Sequence, residues 1–279
     1  MRVAAIQMTS GAEVAANLAA AADLLGRAAA AGAQFIVLPE NFAYLDADEA
    51  GRLAITENFG AGPIQAFLAH TARTHGVWLV GGTTPIRGLE DRRAYSASLL
   101  YGPDGECKAR YDKIHLFDVG VPGAEESYRE SATAIPGVRP VVHAASVGRI
   151  GLAVCYDVRF PALFHELGER GMDLLALPAA FTVPTGEAHW HVLLRARAIE
   201  SLCYVVAAAQ CGEHAGGRRT YGHSLIVGPW GDVLAECPAG PGFVAAEVDI
   251  MRVERLRTRF PALEHRRALR CGRPLAKDS

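Results

Sequence analysis

Apolar and polar positions change period several times along the chain, and the changes mark out elements. Arg2 to Met8 is an apolar run of strand length. Val14, Leu18, Ala21, Leu25 and Ala28 then recur at helical spacing until Gly32. A second apolar run, Phe35 to Pro39, predicts another strand. Pro63 to His75 predicts a helix closed by Gly76, Val77 to Val80 a strand, and Tyr95 to Arg110 a hairpin turning at Gly102-Pro103-Asp104-Gly105.

The same order returns after residue 148. Arg149 to Val154 reads as a strand, Phe160 to Arg170 as a helix, Leu174 to Pro178 as a strand, and Glu187 to Leu202 as a helix. Cys203 to Ala209 and the hairpin Tyr221 to Ala235 complete it. YSASLLYGPDGE from Tyr95 and YGHSLIVGPWGD from Tyr221 share Tyr, Ser, Leu, Gly, Pro and Gly at identical spacing. Leu38-Pro39-Glu40-Asn41-Phe42 is echoed by Leu177-Pro178-Ala179-Ala180-Phe181. These echoes predict a duplicated α/β unit, with halves over 1–112 and 148–250 and a C-terminal helix and tail over 251–279. Strands apolar at every position imply sheets covered on both faces, hence one four-layer domain spanning 1–279. The intervening Asp118 to Pro140, long and rich in Gly, Pro and charge, is expected to be an ordered loop near a site. Beyond Asp249, Val253, Leu256, Phe260 and Leu263 suggest a last amphipathic helix interrupted at Pro261.

Composition narrows the function. The 279 residues are 50% hydrophobic, enough for a sizeable core, and 28 Lys+Arg against 30 Asp+Glu leave a formal charge of -2. The charges are interspersed, so neither nucleic acid nor a membrane surface is an expected partner; a small molecule is. No apolar run reaches membrane-span length and the N-terminus turns polar too early for a signal-peptide core, which points to the cytoplasm. Six cysteines without an export signal are expected as reduced thiols. CxxC, HExxH, Walker, GxGxxG and GxSxG patterns are missing, and the spacing of two in His189-Trp190-His191 argues against a zinc pair.

Working residues in α/β sheets collect where strands end. Glu40 follows the strand ending at Pro39, Cys155 follows Ile150 to Val154, and Lys113 follows the first hairpin. Each also has a plain structural reading, as a loop cap, a small core residue and a solvated charge.

LPENF around Glu40, YDKIHLFDV around Lys113 and GLAVCYDVRFP around Cys155 resemble, in the same order, the three signature blocks of the nitrilase, or carbon-nitrogen hydrolase, superfamily. HLFDVGVPG, AHWHVLLRARAIESLCYVVAAAQCG and YGHSLIVGPWG resemble its branch of deaminated-glutathione amidases and omega-amidases. The resemblance implies an αββα sandwich, commonly in homo-oligomers of two or more chains, with no metal or organic cofactor. It implies Glu40 as general base and acid, Lys113 as electrostatic stabiliser and Cys155 as nucleophile, with a fourth residue at Glu130, although Glu125 and Glu126 lie close by. A neighbouring ammonium is expected to lower the pKa of the thiol and a carboxylate to take its proton. Lys113 and the backbone N–H of Tyr156 are placed to stabilise an oxyanion.

For the substrate, Arg159 offers a forked guanidinium to a carboxylate, or else an ion pair to Asp157 or a loop Glu. Phe181 and Thr185 are expected to wall the pocket, with Thr185 also resembling a helix cap. Tyr221 and His223 read as hairpin packing. The expected activity is hydrolysis of the amide of a small 2-oxo acid derivative, favouring deaminated glutathione with 2-oxoglutarate and cysteinylglycine as products. The alternatives are an omega-amidase acting on 2-oxoglutaramate or 2-oxosuccinamate, a nitrilase, and a non-enzymatic binding module.

Overall fold

The computed structural model describes residues 1–46, 49–88, 92–120 and 127–267. Arg2–Met8, Phe35–Val37 and Trp78–Val80 lie parallel, with Val3 opposite Phe35 and Phe35 opposite Trp78. Ala94–Tyr101 pairs antiparallel beyond them, and is flanked by Thr84–Arg87 and Cys107–Asp112. The second half repeats this. Gly148–Leu152, Leu174–Ala179 and Tyr204–Glu213 are parallel, followed by antiparallel Leu225–Val227 and Val233–Glu236. Each leading strand also carries an antiparallel outer neighbour: Gly242–Glu247 beside Arg2–Met8, and Val141–Ala145 beside Gly148–Leu152.

Side-chain alternation builds the layers. Val3, Ala5, Phe35, Val37 and Val80 pack into one core with Ile150, Leu152, Leu174 and Ala176 of the other sheet. Their neighbours Ala4, Ile6, Ile36, Leu38 and Leu79 face the opposite way, onto Leu24, Leu25, Ala28, Ile64, Leu68 and Ala72. Those last six come from the helices Val14–Ala30 and Pro63–His75. The far side of the second sheet is covered by Pro161–Glu169 and Val183–Ser201 through Phe164, Leu167, Trp190 and Leu194. The result is helix, sheet, sheet, helix, with the sheets stitched together where Gln7 and Met8 meet Ala209 and Gln210. None of these helices is long and apolar enough to cross a membrane.

The sequence echo has a physical counterpart in the hairpins. Both shift register at the same repeat position, Leu100/Tyr101 and Ile226/Val227. Both close with the same bond, Gly102 N–H to Glu106 O at 3.0 Å and Gly228 N–H to Asp232 O at 2.8 Å. Gly105 and Gly231 take left-handed φ values of 76° and 85° there, a conformation that favours glycine.

Four stretches depart from the sequence pattern. The helix expected from Glu187 begins at Val183, because Thr182 occupies the N-cap position and Pro184 fits the first turn. Thr185 is therefore not the cap; its Oγ1 lies 2.8 Å from Thr182 Oγ1 inside that turn. The short helix Glu49–Ala54 and the strand Thr84–Arg87 have too few residues to show a period. The segment after Asp118 holds a ribbon, Asp118–Gly120 against Ser127–Arg129, and a single 3-10 turn at Glu130–Ala132.

Candidate active site

Glu40, Lys113 and Cys155 each leave the end of a strand on a pinned backbone. After Phe35–Val37 the chain turns at Asn41, whose φ is 57° and whose N–H donates to Thr83 Oγ1 at 2.9 Å. Gln210 Nε2 donates to Glu40 O at 3.0 Å. Gly82 backs the turn so closely that a Cβ there would lie 2.1 Å from Pro39 O. Lys113 follows Cys107–Asp112, its N–H donating to Ser96 O and its carbonyl accepting from Gly137 N–H at 2.8 Å. Cys155 opens a 3-10 turn, Cys155–Arg159, with a φ of 48° that costs a non-glycine residue roughly 1–3 kcal/mol.

Fully buried Asp157 locks the Lys113 and Cys155 loops together. Its carboxylate accepts from Tyr111 Oη at 2.7 Å, Val154 N–H at 2.9 Å and His115 N–H at 3.0 Å, and lies 2.7 Å from His115 Nδ1. Tyr111 and His115 flank Lys113 at two residues on either side. The alternative that Asp157 pairs with Arg159 is therefore not what forms. The sequence signal for this lock was present, in polar residues bracketing two chemical ones, but only the folded register shows which bonds to which.

The three side chains converge with Glu130. Lys113 Nζ donates to Glu40 Oε1 and to Glu130 Oε2, both at 2.8 Å, and the ammonium is almost wholly buried. Burial opposes its charge, but the two carboxylates and Cys155 outweigh that and hold the ammonium above its ordinary pKa. Glu130 accepts from two further donors. Phe117 N–H lies 2.8 Å from Oε2 and Ser96 Oγ 3.3 Å from Oε1, and Arg52 is bonded to the same Ser96 Oγ at 2.6 Å. Burial pushes its pKa up, yet Lys113, Arg52 and these bonds bring it below the usual carboxylate range. Glu125 and Glu126 lie outside the described residues.

Lys113 pulls the Cys155 thiol pKa down, as expected of a neighbouring ammonium, but does not set the outcome. Burial first, then the negative charge of Glu40, push its pKa well above the ordinary thiol value, against the opposing pull of Lys113 and the Ala180 N–H. The resting sulfur keeps its proton and hydrogen-bonds Glu40.

The group floors a cleft of about 700 Å³ including its open mouth. Tyr156, Arg159, Phe181 and Thr185 all line it, as the sequence reading placed them. Arg159 is half buried, its guanidinium 5.1 Å from the Phe181 ring centroid and Nη1 3.1 Å from His189 Nδ1. Among the described residues it has no carboxylate partner, and of the ion-pair alternatives the one with Asp157 does not form. Sequence reading missed Arg52 and Arg218. Arg218 stacks over Tyr128 at 5.1 Å, and among the described residues its buried Nε has no hydrogen-bond partner. It reaches the cleft because Tyr221 N–H bonds Phe181 O at 2.9 Å, folding the 218–221 segment over the strand end. Tyr221 and His223 lie outside the cleft and stack on each other at 4.3 Å.

The carbon-nitrogen hydrolase profile matches residues 2–258. The chain belongs to the carbon-nitrogen hydrolase family. It is 44% identical over 267 residues to a deaminated glutathione amidase of Synechocystis, covering 94% of this chain and 97% of that protein. Saccharomyces cerevisiae Nit3, a member of branch 10 of the nitrilase superfamily, superposes with a TM-score of 0.84 at 29% identity, over 94% of each chain. The Caenorhabditis elegans NitFhit protein superposes at 0.87 and 38% identity, over 95% of this chain; the carbon-nitrogen hydrolase described here spans 65% of that larger protein. The protein is thus a hydrolase of carbon–nitrogen bonds on a nitrilase-superfamily fold.

Proposed function

We propose that this enzyme hydrolyses the amide of deaminated glutathione to 2-oxoglutarate and cysteinylglycine, with Glu40, Lys113, Cys155 and Glu130 as its working group. The observation that carries the chemistry is the Glu40 carboxylate shared between the Cys155 thiol and the Lys113 ammonium. The sulfur attacks the amide carbonyl as its proton passes to Glu40. A C–S bond forms, and the oxyanion is stabilised by Lys113 and the Tyr156 N–H, a kind of contact worth ~3 kcal/mol per donor. Glu40 returns the proton to the departing amine as the C–N bond breaks, leaving a thioester. Its carboxylate then takes a proton from water, hydroxide attacks the thioester, and the C–S bond breaks to regenerate the thiol. Glu130, which accepts from Lys113, Phe117 and Ser96, keeps Lys113 in place rather than moving protons. No step draws on a metal or organic cofactor.

Substrate choice follows from the walls. Deaminated glutathione carries a carboxylate at each end, and Arg159 and Arg218 present two guanidiniums in the same cleft as the thiol. The Synechocystis relative named above by that activity supports the same substrate. The reading extends to a cytoplasmic homo-oligomer, supported by free Cys107, Cys155, Cys203, Cys211 and Cys237 and by the exposed apolar Val192 and Ile199.

The test is turnover of deaminated glutathione, 2-oxoglutaramate, a nitrile and a neutral amide of similar size, side by side, on wild type and Arg159→Lys. Deaminated glutathione should be the best substrate. Arg159→Lys keeps the charge but loses the fork, so its kcat/KM should fall by roughly one to two orders of magnitude while the poor neutral amide changes little. Preference for 2-oxoglutaramate would move the enzyme to the omega-amidase reading. Equal losses on both amides would make Arg159 a support of the loop.

A further inference from the structure

Outside the cleft, three side chains from three elements meet at one point. His191 stands on the helix Val183–Ser201, His223 precedes the strand Leu225–Val227, and Glu236 ends Val233–Glu236. Glu236 Oε1 lies 3.0 Å from His191 Nε2 and 2.6 Å from His223 Nδ1. One nitrogen from each ring and one carboxylate oxygen fall within 4.8 Å of one another, and each side chain is about one third exposed. None of the three lines the cleft that holds Cys155.

Both rings are held in place. The His191 ring meets the Tyr221 ring edge-on at 6.1 Å, and the His223 ring stacks on it at 4.3 Å. The His223 carbonyl accepts from Trp190 Nε1 at 2.8 Å, and its backbone sits at a φ of 54°. Four non-glycine residues among those described have positive φ. Asn41 and Cys155 serve the cleft and Leu202 ends a helix, which leaves His223 as the strained position the cleft does not explain.

We propose that His191, His223 and Glu236 form a binding site for a divalent transition-metal ion, Zn²⁺ foremost, separate from the catalytic cleft. Two imidazoles and one carboxylate are a borderline donor set that suits Zn²⁺ and leaves its fourth position to water. A tetrahedral zinc ion with ligands at ~2.0–2.1 Å spans ligand–ligand edges of about 3.3 Å. The present 3.0 and 2.6 Å separations would open by some tenths of an ångström to admit it, and the His191 Nε2 to His223 Nδ1 edge, now within 4.8 Å, would adjust to the same length. Binding displaces the hydrogens now shared with Glu236 Oε1, leaving lone pairs on His191 Nε2 and His223 Nδ1 to face the ion. Because the ligands come from a helix and both arms of a hairpin, the ion would tie that hairpin to the helix packed beneath it.

The full chain, stripped with a chelator and dialysed, is titrated calorimetrically with ZnCl₂. One Zn²⁺ per chain should bind with micromolar affinity or better, weakened by at least about 100-fold in Glu236→Gln and in His191→Asn. A Cys107→Ser/Cys155→Ser double variant, lacking the exposed thiol and the cleft thiol, should bind as wild type does. Zn²⁺ should raise the Tm of wild type and of that double variant but not of Glu236→Gln, which also shows whether each variant is folded. Absence of binding to millimolar Zn²⁺, undiminished affinity in both ligand variants, or loss of binding in the cysteine variant would overturn the proposal. The last outcome would assign the ion to a thiol.

Discussion

The resting protonation of Cys155 decides how the nucleophile is made. Since burial and Glu40 hold the thiol proton on, the thiolate exists only while Glu40 is taking that proton. The kcat/KM profile should then lack an ascending limb near pH ~8.5, where a free thiol ionises. A limb there would mean a standing thiolate carries the reaction. Cys155→Ala should abolish turnover and the acyl adduct seen by intact mass, with Tm nearly unchanged because a small side chain replaces a small one. Glu130 gives a second check. Its folded pKa lies below its unfolded value, so the stability it contributes is fully present above the unfolded pKa and lost as pH falls through the folded one. Glu130→Gln should cost about 1.5–3 kcal/mol at pH 7 by urea melts. The gap to wild type should narrow on acidification, and a gap that stays constant to pH 3 would contradict the ionised pairing with Lys113.

At the scale of elements, what the sequence revealed and what it hid have physical causes. Strands such as Leu174–Ala179 were legible because both faces are covered and every position is apolar. The matching hairpins were legible because Gly102, Gly105, Gly228 and Gly231 repeat the same turn bonds. Glu40, Lys113 and Cys155 stood out because each ends a strand. Arg218 did not, since its route to the cleft is the pairing of the following residues with Phe181 and Thr182, a long-range contact without a local period. The net pull on the thiol was not legible because it sums burial with the opposing charges of Glu40 and Lys113, whose distances only the fold sets. One element-level contact is directly testable. A Cβ on Gly137 would lie 2.0 Å from Asp112 O, backbone that immediately precedes Lys113. Gly137→Ala should therefore shift the Lys113 loop and lower kcat by about tenfold or more, as misplacement by about 1 Å can. A variant with wild-type kcat would show that the loop absorbs the methyl group without moving the ammonium.

Taken whole, the molecule covers both sheets with helices but leaves apolar side chains uncovered on one outer face. Val192 and Ile199 lie seven residues apart on Val183–Ser201, on one stripe of that helix, at 68% and 48% exposure. A Cβ on Gly231 would lie 2.6 Å from Ile199 Cδ1, which places the Trp230 turn beside this stripe, and Trp230 packs edge-on against exposed Phe260 at 5.3 Å. Such a contiguous patch marks an interaction surface more often than a solvated one. The same helix bears Thr185 at the cleft and His189 against Arg159, so the patch and the cleft share one element. Self-association through this face makes two linked predictions. Light scattering at about 10 μM should give at least the dimer mass for wild type, in the range where hydrophobic interfaces of standard size persist. Val192→Glu/Ile199→Glu should reduce that mass to the monomer, because two buried unpaired carboxylates oppose the interface. Its kcat/KM should also fall several-fold as the helix loosens, by roughly 1 kcal/mol of lost substrate positioning. A wild type that is monomeric at that concentration, or a double variant that keeps the full oligomer mass, would assign the patch to something other than a second copy.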